Sequence, residues 1–437
     1  MICCWLRIGA LSAATALIVG VPVARAARLS AAAAATQDRS QGETPGRADA
    51  FVDAVGVDSH FNYNGTSYIR NWPAISSALI GSGIRHIRDG GKPEAAYLER
   101  LAMLGSHGID HNAGFALTAT PAYVESTLRT FAPYVDFVET QNEYDSAAKT
   151  DPQWADKVIA AQKTLYATVH GDSAFSRVTV LGPALARQRY YSMLGPLDAY
   201  EDAGNLHYST CDDPPGVDTP RQSVRRVHAL LRMSTQTKPI WTTEAGYNSD
   251  TLRPCHLPDD IIAKYDPRTV AERWNLGEPR IFFYQLADMP RDSVFGGTGL
   301  LHADGSPKPQ FTALKSMIGL LADPGPAFAP SPLKYAIGGN TKDVHHTLLQ
   351  KRNGRYELLV WLEVPAWKST SADHRVGTPL DVRPQTISVT LPPLVASAKL
   401  YRYAHNWSLT PSPVAIRGGS AQFEVSDAIS FLELSPR

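Results

Sequence analysis

The sequence predicts an α/β fold, namely a (β/α)8 TIM barrel followed by a C-terminal all-β sandwich domain. From Val55 onward, short apolar runs alternate with helical patterns, as expected of repeated β-α units. Eight such pairs occur within about 270 residues, which is the number and length of a TIM barrel. At Asp323-Pro324-Gly325-Pro326 the pattern changes to alternating runs separated by proline and glycine, which predicts the sandwich.

The predicted barrel strands are short apolar runs, and each is followed by a segment with helical periodicity. The strands are predicted at residues 55–61, 85–89, 109–117, 135–144, 178–185, 205–209, 239–246 and 280–286. The helices are predicted at residues 72–84, 94–104, 122–131, 154–169, 190–200, 220–233, 269–276 and 310–321. In the sandwich, strands are predicted at residues 356–364, 385–391, 399–403 and 421–434, packed on the outer helices of the barrel.

The N-terminus has the features of a signal peptide. Arg7 supplies a positive n-region, residues 8–21 form a short apolar h-region, and Ala24-Arg25-Ala26 is a cleavage-site pattern. The apolar run is short for a spanning helix, which favours a cleaved signal over a membrane anchor. We therefore expect a secreted or periplasmic protein. The predicted organisation is a signal peptide over 1–26, a flexible leader over 27–48, a TIM-barrel catalytic domain over 49–323 and a β-sandwich domain over 324–437.

Composition excludes several classes of function. The chain has 437 residues, with 42 Lys and Arg against 42 Asp and Glu, so it carries no net charge. Without a basic field, binding to nucleic acid or to an anionic membrane is not expected. No stretch after the signal peptide is long and apolar enough for stable membrane insertion. The balance is compatible with a neutral substrate, and the oligomeric state stays unknown from the sequence.

Two cysteines, Cys211 and Cys255, remain once the signal peptide is removed. An exported protein usually pairs its thiols, so we expect a disulfide between them. The alternative is two free buried thiols. His256 stands beside Cys255, but two cysteines and one histidine fall short of a tetrahedral zinc site, so no metal is predicted.

Two glutamates end predicted strands that lie far apart in the chain. Glu143 follows the fourth strand, and Glu244 ends the seventh. A TIM barrel gathers the carboxyl ends of its strands on one face, so the fold would bring both side chains together. Two carboxyl groups on opposite sides of a bond suffice for glycoside hydrolysis, with one as nucleophile and one as proton donor. This chemistry predicts no metal and no organic cofactor.

Asn142-Glu143, Glu244 and Arg88 together resemble the motifs of clan A, the retaining glycoside hydrolases with TIM barrels. The resemblance implies that Glu143 is the general acid/base and Glu244 the nucleophile. It also implies that Asn142 binds a sugar hydroxyl and that Arg88, late in the second strand, holds Glu244. Residues 52–323 carry the resemblance.

Other positions match the clan loosely. His207-Tyr208 resembles a His-x-Tyr element after the sixth strand but lacks the intervening residue, and we expect Tyr208 to contact Glu244. Tyr284 stands where the clan often has a tryptophan floor. Gly299-Leu300-Leu301 and Gly305-Ser306-Pro307-Lys308-Pro309 are similar to family 39 and to bacterial exopolysaccharide glycosidases.

Aromatic residues near strand ends are candidates for stacking on a sugar, because sugar faces are flat and partly apolar. His60, Tyr247 and Tyr284 are predicted substrate contacts, with His207 and Tyr208 as further ones. Two alternatives to hydrolysis stay open: a carbohydrate-binding barrel without turnover, and a transglycosidase using the same glutamates. The identity of the sugar would depend on loops at residues 211–222 and 248–268.

Overall fold

Eight parallel strands form a closed barrel in the computed structural model, which describes residues 42–289 and 296–437. The strands form one hydrogen-bonded row, and the row closes on itself through a parallel bridge between Leu181 and Ala203. At this seam the backbone N of Gly182 donates to the carbonyl of Ala203 at 2.8 Å. The predicted TIM barrel is confirmed, whereas the predicted signal peptide lies outside the described residues.

The described strands, numbered in chain order, include the eight barrel strands β2 to β9. They are β1 (Gly46–Arg47), β2 (Val55–Asp58), β3 (His86–Arg88), β4 (Asp110–Phe115), β5 (Val135–Thr140), β6 (Thr179–Val180), β7 (Gly204–His207), β8 (Ile240–Ala245), β9 (Ile281–Phe283), β10 (Ala336–Gly339), β11 (Val344–Gln350), β12 (Tyr356–Leu362), β13 (Trp367–Ser369), β14 (Gly377–Pro379), β15 (Gln385–Thr390), β16 (Val395–Tyr403), β17 (Leu409–Val414), β18 (Ile416–Arg417), β19 (Ser420–Val425) and β20 (Ser430–Pro436).

The described α-helices alternate with the barrel strands and surround them. They are α1 (Ala48–Asp53), α2 (Ser67–Arg70), α3 (Trp72–Ser82), α4 (Ala95–Gly105), α5 (Pro121–Phe131), α6 (Trp154–His170), α7 (Tyr191–Leu194), α8 (Val224–Leu231), α9 (Asp259–Asn275) and α10 (Pro309–Leu321). Within these residues, no helix combines the length and the apolar character that crossing a bilayer requires.

Two helices differ from the sequence prediction. The helix predicted at 190–200 ends at Leu194, because Gly195 takes a positive φ of 62° and a proline follows it. Helix α9 begins at Asp259 rather than at residue 269 and contains Pro267. It is buried along most of its length between the barrel and the sandwich, so it lacks the one-sided apolar period that reveals a surface helix.

The prediction of a flexible leader over residues 27–48 is wrong for residues 42–48, the part that the structure describes. Strand β1 pairs in parallel with β11, through Gly46 with Leu349 and Arg47 with Gln350. Ahead of it, the backbone of Glu43 exchanges two hydrogen bonds with Leu333, at 3.0 and 2.9 Å. The sandwich therefore includes a strand that precedes the barrel in the sequence. This strand has only two residues and lies in a polar stretch, so no periodic pattern predicts it.

The C-terminal region is a sandwich of two antiparallel sheets, as predicted. One sheet has the order β1-β11-β12-β20-β16-β17, with only β1 parallel to its neighbour, and the other has the order β10-β15-β19-β18. Leu358 and Leu432 of the first sheet share one apolar core with Val389 and Phe423 of the second. Alternation along each strand directs these side chains inward.

The six-stranded sheet packs its other face against the barrel. Leu359, Trp361 and Phe431 belong to the same apolar core as Val270 of α9 and Leu314 of α10. The barrel's outer helices are therefore the surface on which the sandwich packs, as the sequence predicts.

A buried ion pair crosses this domain contact. Arg268 of α9 is fully buried and donates from Nε to Glu363 Oε2 at 2.9 Å. Its Nη1 also donates to the backbone carbonyl of Asp427 at 3.2 Å. Glu363 in turn accepts from the backbone N of Gly216, in the loop after β7, at 2.8 Å. The pair thus ties the sandwich to a loop on the barrel's carboxyl face.

The barrel interior is filled by large rings. Phe137 contacts Trp241 and Phe282, with ring centroids 5.6 and 5.3 Å apart. Gly56 on β2 makes room for this packing, because a Cβ there would lie 2.5 Å from the ring of Phe282. With the interior filled, polar chemistry is confined to the carboxyl ends of the strands.

We expect Arg268→Ala to lower the free energy of unfolding by about 3–5 kcal/mol, because it leaves Glu363 buried without its cation. Urea unfolding followed by circular dichroism measures the change. Lys399→Ala is the matched control, since Lys399 also pairs with a glutamate but is 47% exposed, and it should leave the midpoint unchanged. Equal midpoints for the two variants would contradict a structural role for the Arg268 pair.

Candidate active site

Glu143 and Glu244 meet at the carboxyl face of the barrel. One oxygen of each, together with one ring nitrogen of His207, lie within 4.8 Å of one another. The two glutamate side chains are 12% and 14% exposed, whereas that of His207 is 4% exposed. Two carboxylates that are remote in the sequence therefore stand side by side and stay within reach of solvent.

The turn after β5 presents Glu143. Its backbone is left-handed, with φ 46° and ψ 41°, and it precedes a short 3-10 helix over Tyr144–Ala147. Asp145 in this helix is fully buried and accepts from the backbone N of Ala186 and Arg187, at 2.9 and 3.0 Å. Positive φ is unfavourable for a side chain of this kind and tends to occur at functional sites. Asp145 anchors the turn to the loop after β6.

A register shift in β8 positions Glu244. Pairing with β7 passes from Leu206–Thr242 directly to His207–Glu244, so Thr243 is the extra residue of a bulge. In a regular strand, consecutive side chains point to opposite faces. Here Thr243 and Glu244 both contact His207, with Thr243 Oγ1 3.0 Å from Nε2 and Glu244 Oε1 3.5 Å from Nδ1. Bulges beside active sites often redirect side chains in this way.

Arg88, at the end of β3, donates hydrogen bonds to four side chains of the site. Its guanidinium is 8% exposed and donates to Glu244 at 2.8 Å, to Glu139 at 2.6 Å and to Asp58 at 3.2 Å. It also donates from Nη2 to Oδ1 of Asn142 at 2.8 Å, which leaves the amide nitrogen of Asn142 as the group able to donate to a ligand. The sequence predicts the contact with Glu244 but not the other three.

Glu139 is a central residue that sequence reasoning missed. It lies inside β5 and is 5% exposed. Its carboxylate accepts from Arg88 and from the amide nitrogens of Asn112 and Asn205, both at 3.0 Å. The available signal was a carboxylate within the apolar run Phe137-Val138-Glu139, because a buried charge requires partners.

Asp58, at the end of β2, is a second residue that the sequence did not reveal. Burial, reinforced by repulsion from Glu244 and Glu139, outweighs the attraction of Arg88 and raises the pKa of Asp58 well above its usual value. Its Oδ2 has no hydrogen-bond partner among the described residues. The raised pKa favours the protonated form of Asp58.

The side chain of His207, rather than that of Tyr208, contacts the carboxyl groups of the two glutamates, so the predicted contact of the Tyr208 side chain with Glu244 is wrong. Nδ1 of His207 lies 3.0 Å from Glu143 Oε1. The hydroxyl of Tyr208 instead donates to Gln222 at 2.7 Å and accepts from the backbone N of Ser223 at 3.1 Å. Consecutive residues along an extended chain face opposite ways, and the inward position is that of His207, the last residue of β7, rather than that of Tyr208 after it.

His60 and Tyr284 lie together beside this cluster. Nε2 of His60 is 3.3 Å from the hydroxyl of Tyr284, and its ring stacks on Tyr63 with centroids 4.6 Å apart. Burial and the positive charge of Arg88 lower the pKa of His60 to about 4, so the ring is neutral at pH 7. Tyr63 is 40% exposed and offers an aromatic surface at the edge of the site.

Cys211 and Cys255 form the predicted disulfide, with Cα atoms 4.9 Å apart, and it joins the loops after β7 and β8. Tyr247 lies in the same region and is 8% exposed. Its hydroxyl is 2.9 Å from Oγ1 of Thr210, and its ring is 5.3 Å from that of Tyr265. Tyr247 is thus a packing residue rather than the predicted substrate contact.

Known proteins resemble this chain in structure. No family model matches the chain, and no curated protein matches it significantly. A family 39 glycoside hydrolase from Bacteroides cellulosilyticus WH2 superposes with a TM-score of 0.61 at 15% identity, covering 90% of this chain and 83% of that one. A glucosidase from Croceicoccus marinus superposes with a TM-score of 0.61 at 12% identity, covering 91% and 98%. The chain shares the fold of these glycoside hydrolases.

A third solved structure has the same fold. The monomeric beta-xylosidase from Caulobacter crescentus CB15 superposes with a TM-score of 0.55 at 14% identity, covering 91% of this chain and 98% of that one. Each comparison spans both the barrel and the sandwich, so the two-domain organisation is shared along with the barrel.

The cluster of Glu143, His207 and Glu244 has enough groups to hold a metal ion. Arg88 already supplies positive charge there, with its Nη1 2.8 Å from Glu244. A divalent cation next to a buried guanidinium would be repelled. The arrangement therefore suits proton transfer and nucleophilic attack better than metal binding.

Asp58→Asn tests the protonation of this site. The folded protein holds a proton on Asp58 that the unfolded chain releases above about pH 4, so wild-type stability is fully present below that pH and falls as the pH rises. The neutral amide removes this dependence. We expect the free energy of unfolding of wild type to fall relative to that of D58N by up to about 1.4 kcal/mol per pH unit.

Urea unfolding at a series of pH values from about 4 to 8 measures this difference. Asp381→Asn, at an exposed position, is the control and should follow wild type throughout. A constant deficit of D58N across the series would instead indicate that Asp58 is ionised and stabilised by Arg88.

Proposed function

We propose that this protein is a retaining glycoside hydrolase, with Glu143 as the general acid/base and Glu244 as the nucleophile. The observation that carries the proposal is the approach of the two carboxylates, whose nearest oxygens lie within 4.8 Å. Retaining glycosidases place their carboxyl groups about 5–5.5 Å apart, whereas inverting enzymes need about 6.5–9.5 Å to admit a water molecule. The short separation supports retention.

The surrounding contacts support these two roles. Glu244 accepts a charge-assisted hydrogen bond from Arg88 at 2.8 Å, which fixes the carboxylate in one orientation for attack on the anomeric carbon. Glu143 would protonate the departing oxygen and afterwards deprotonate the attacking water. The amide of Asn142, oriented by Arg88, can donate to a sugar hydroxyl next to the bond that breaks.

The structural neighbours support the reaction class and narrow the first substrates to test. Their names describe a glucosidase, a beta-xylosidase and, with a TM-score of 0.58, an alpha-L-arabinofuranosidase from Thermotoga petrophila RKU-1. We propose an oligosaccharide or polysaccharide as the natural substrate. A panel of aryl glucosides, xylosides and arabinofuranosides, together with plant and bacterial polysaccharides, would identify the sugar.

Variants of the two glutamates test the assignment on whichever substrate is cleaved. Glu143→Ala and Glu244→Ala should each lower kcat/KM by about 100-fold or more while leaving the circular dichroism spectrum unchanged. Glu99→Ala, at an exposed position on helix α4, is the control and should retain full activity.

Azide separates the two roles. Added to Glu244→Ala, it should restore turnover and give a glycosyl azide of inverted configuration, because it replaces the nucleophile. Added to Glu143→Ala, it should give a product of retained configuration, because it intercepts the intermediate on Glu244. Proton NMR of the products distinguishes these outcomes. Full activity in either alanine variant, or sugar binding without any release of product, would refute the proposal.

We also propose that the protein is exported. The signal-peptide pattern of residues 1–26 motivates this, and the Cys211–Cys255 disulfide supports it, because such bonds persist mainly in oxidising compartments. Expression of the full chain in a bacterial host, followed by N-terminal sequencing of the periplasmic fraction, tests it. The expected mature terminus is Ala27.

A further inference from the structure

A chain of hydrogen bonds runs from Glu139 through Asn205, Thr243 and His207 to Glu143. Asn205 donates from Nδ2 to Glu139 Oε2 at 3.0 Å, and its Oδ1 accepts from the hydroxyl of Thr243. Oγ1 of Thr243 lies 3.0 Å from Nε2 of His207. Asn205 and Thr243 are fully buried, so these groups have no access to solvent as an alternative partner.

The direction of each bond in this chain is determined. Glu139 receives only donors, from Arg88, Asn112 and Asn205. The amide of Asn205 must therefore turn its nitrogen to Glu139, since the reverse orientation would place its oxygen against a carboxylate. The oxygen of Asn205 then takes the single proton of the Thr243 hydroxyl.

These bond directions determine which ring nitrogen of His207 carries a hydrogen. Because the Thr243 hydroxyl has given its proton to Asn205, it can only accept from His207, and Nε2 must carry a hydrogen. Nδ1 then either accepts a proton from Glu143, 3.0 Å away, or carries a proton of its own and donates to Glu143. A neutral ring facing an ionised Glu143 would set a lone pair against a negative oxygen.

We propose that Glu143 and His207 together hold one catalytic proton, and that Thr243 and Asn205 enforce this by keeping the fixed hydrogen of His207 on Nε2. His207 is thus a positioning residue that acts through Glu143, and Thr243 and Asn205 act through His207. The inference rests on the proposed role of Glu143, and it adds an account of where the acid's proton resides before a sugar binds.

The proton balances over a catalytic cycle. In the empty site it lies on Nδ1 of His207, and it moves to Glu143 Oε1 when a glycosidic oxygen replaces water. Glu143 then transfers it to that oxygen as the bond to the anomeric carbon breaks and Glu244 attacks. Water gives one proton back to the pair as its oxygen displaces Glu244. One proton leaves and one returns, with no other reactant.

Charge around the pair is consistent with this resting state. Burial alone would raise the pKa of Glu143, but the hydrogen bond and charge of His207, with Arg88 and Arg187, hold that pKa below its usual value. A lowered pKa of Glu143 agrees with the shared proton resting outside that carboxyl group. The charged or titratable groups that interact with the pair from neighbouring elements are Arg88, Arg187, Glu244, Asp145 and Tyr191.

Nitrogen-15 NMR of the full chain tests the tautomer without any substrate. In protein labelled on its histidines, long-range proton–nitrogen correlations distinguish a protonated from a bare ring nitrogen, and His207→Gln identifies the signal. We expect Nε2 of His207 to be protonated throughout the range in which the protein is folded, with only Nδ1 losing its proton as the pH rises. A bare Nε2 beside a protonated Nδ1 would overturn the proposal.

Two variants interrupt the chain of hydrogen bonds in different ways and should change the tautomer of His207 in the same direction. Thr243→Val removes the acceptor for Nε2, and Asn205→Ala frees the Thr243 hydroxyl to donate to Nε2. In both, the neutral ring should carry its hydrogen on Nδ1, and Thr243→Ser should restore the wild-type signal. An unchanged tautomer in both variants would also overturn the proposal.

Kinetics separate this role from simple packing. A substrate with a poor leaving group needs the acid's proton, whereas a 2,4-dinitrophenyl glycoside does not. For Thr243→Val, the loss of kcat/KM on a phenyl glycoside should exceed the loss on the dinitrophenyl glycoside by about 10-fold or more. Equal losses would assign Thr243 a structural role. If the chain hydrolyses no glycoside, the proposed function fails, while the NMR result still decides the tautomer.

Discussion

The pairing of Arg88 with Glu139 is the interaction on which the rest of the site depends. Both groups are nearly inaccessible, and either charge alone would be very unfavourable in the barrel. Nε of Arg88 donates to Glu139 at 2.6 Å, and the remaining nitrogens of the guanidinium are then directed toward Glu244, Asp58 and Asn142. Glu139 also orients Asn205 and, through it, the side chains that contact His207. One buried ion pair thus sets the position of Glu244 and the orientation of the groups around Glu143.

Much of the fold was predictable, because its signals are local. Short apolar runs alternate with helical patterns along the barrel region, and the polar residues after the fourth and seventh predicted strands identify Glu143 and Glu244. What escaped prediction depends on contacts between distant segments. The bulge at Thr243 brings two consecutive side chains to His207, and no periodicity in the sequence announces it. The role assigned to Tyr208 failed for a related reason, since which of two adjacent residues faces inward depends on the register of β7 against β8.

The sandwich contributes to the catalytic face as well as to stability. Its β13–β14 hairpin reaches the loop after β7, where His374 Nδ1 lies 2.9 Å from Asp212 and Ser369 donates to the same carboxylate. The backbone N of Ala366 donates to the hydroxyl of Tyr265 on α9 at 2.8 Å. Together with the disulfide beside them, these contacts attach the loops that follow β7 and β8 to the sandwich domain. His207 and Glu244 end those two strands, so the sandwich restricts the segments that carry them.

The distribution of protons in the site follows from its charge balance. One guanidinium stands among the carboxyl groups of Asp58, Glu139, Glu143 and Glu244, and the site is too buried for solvent to screen four negative charges. Protons must therefore compensate for the missing cations. Asp58 is the most buried of the four, and burial raises its pKa well above the usual value, which favours its protonated form. Glu143 has His207 at hydrogen-bond distance and, under the proposed mechanism, shares a proton with it.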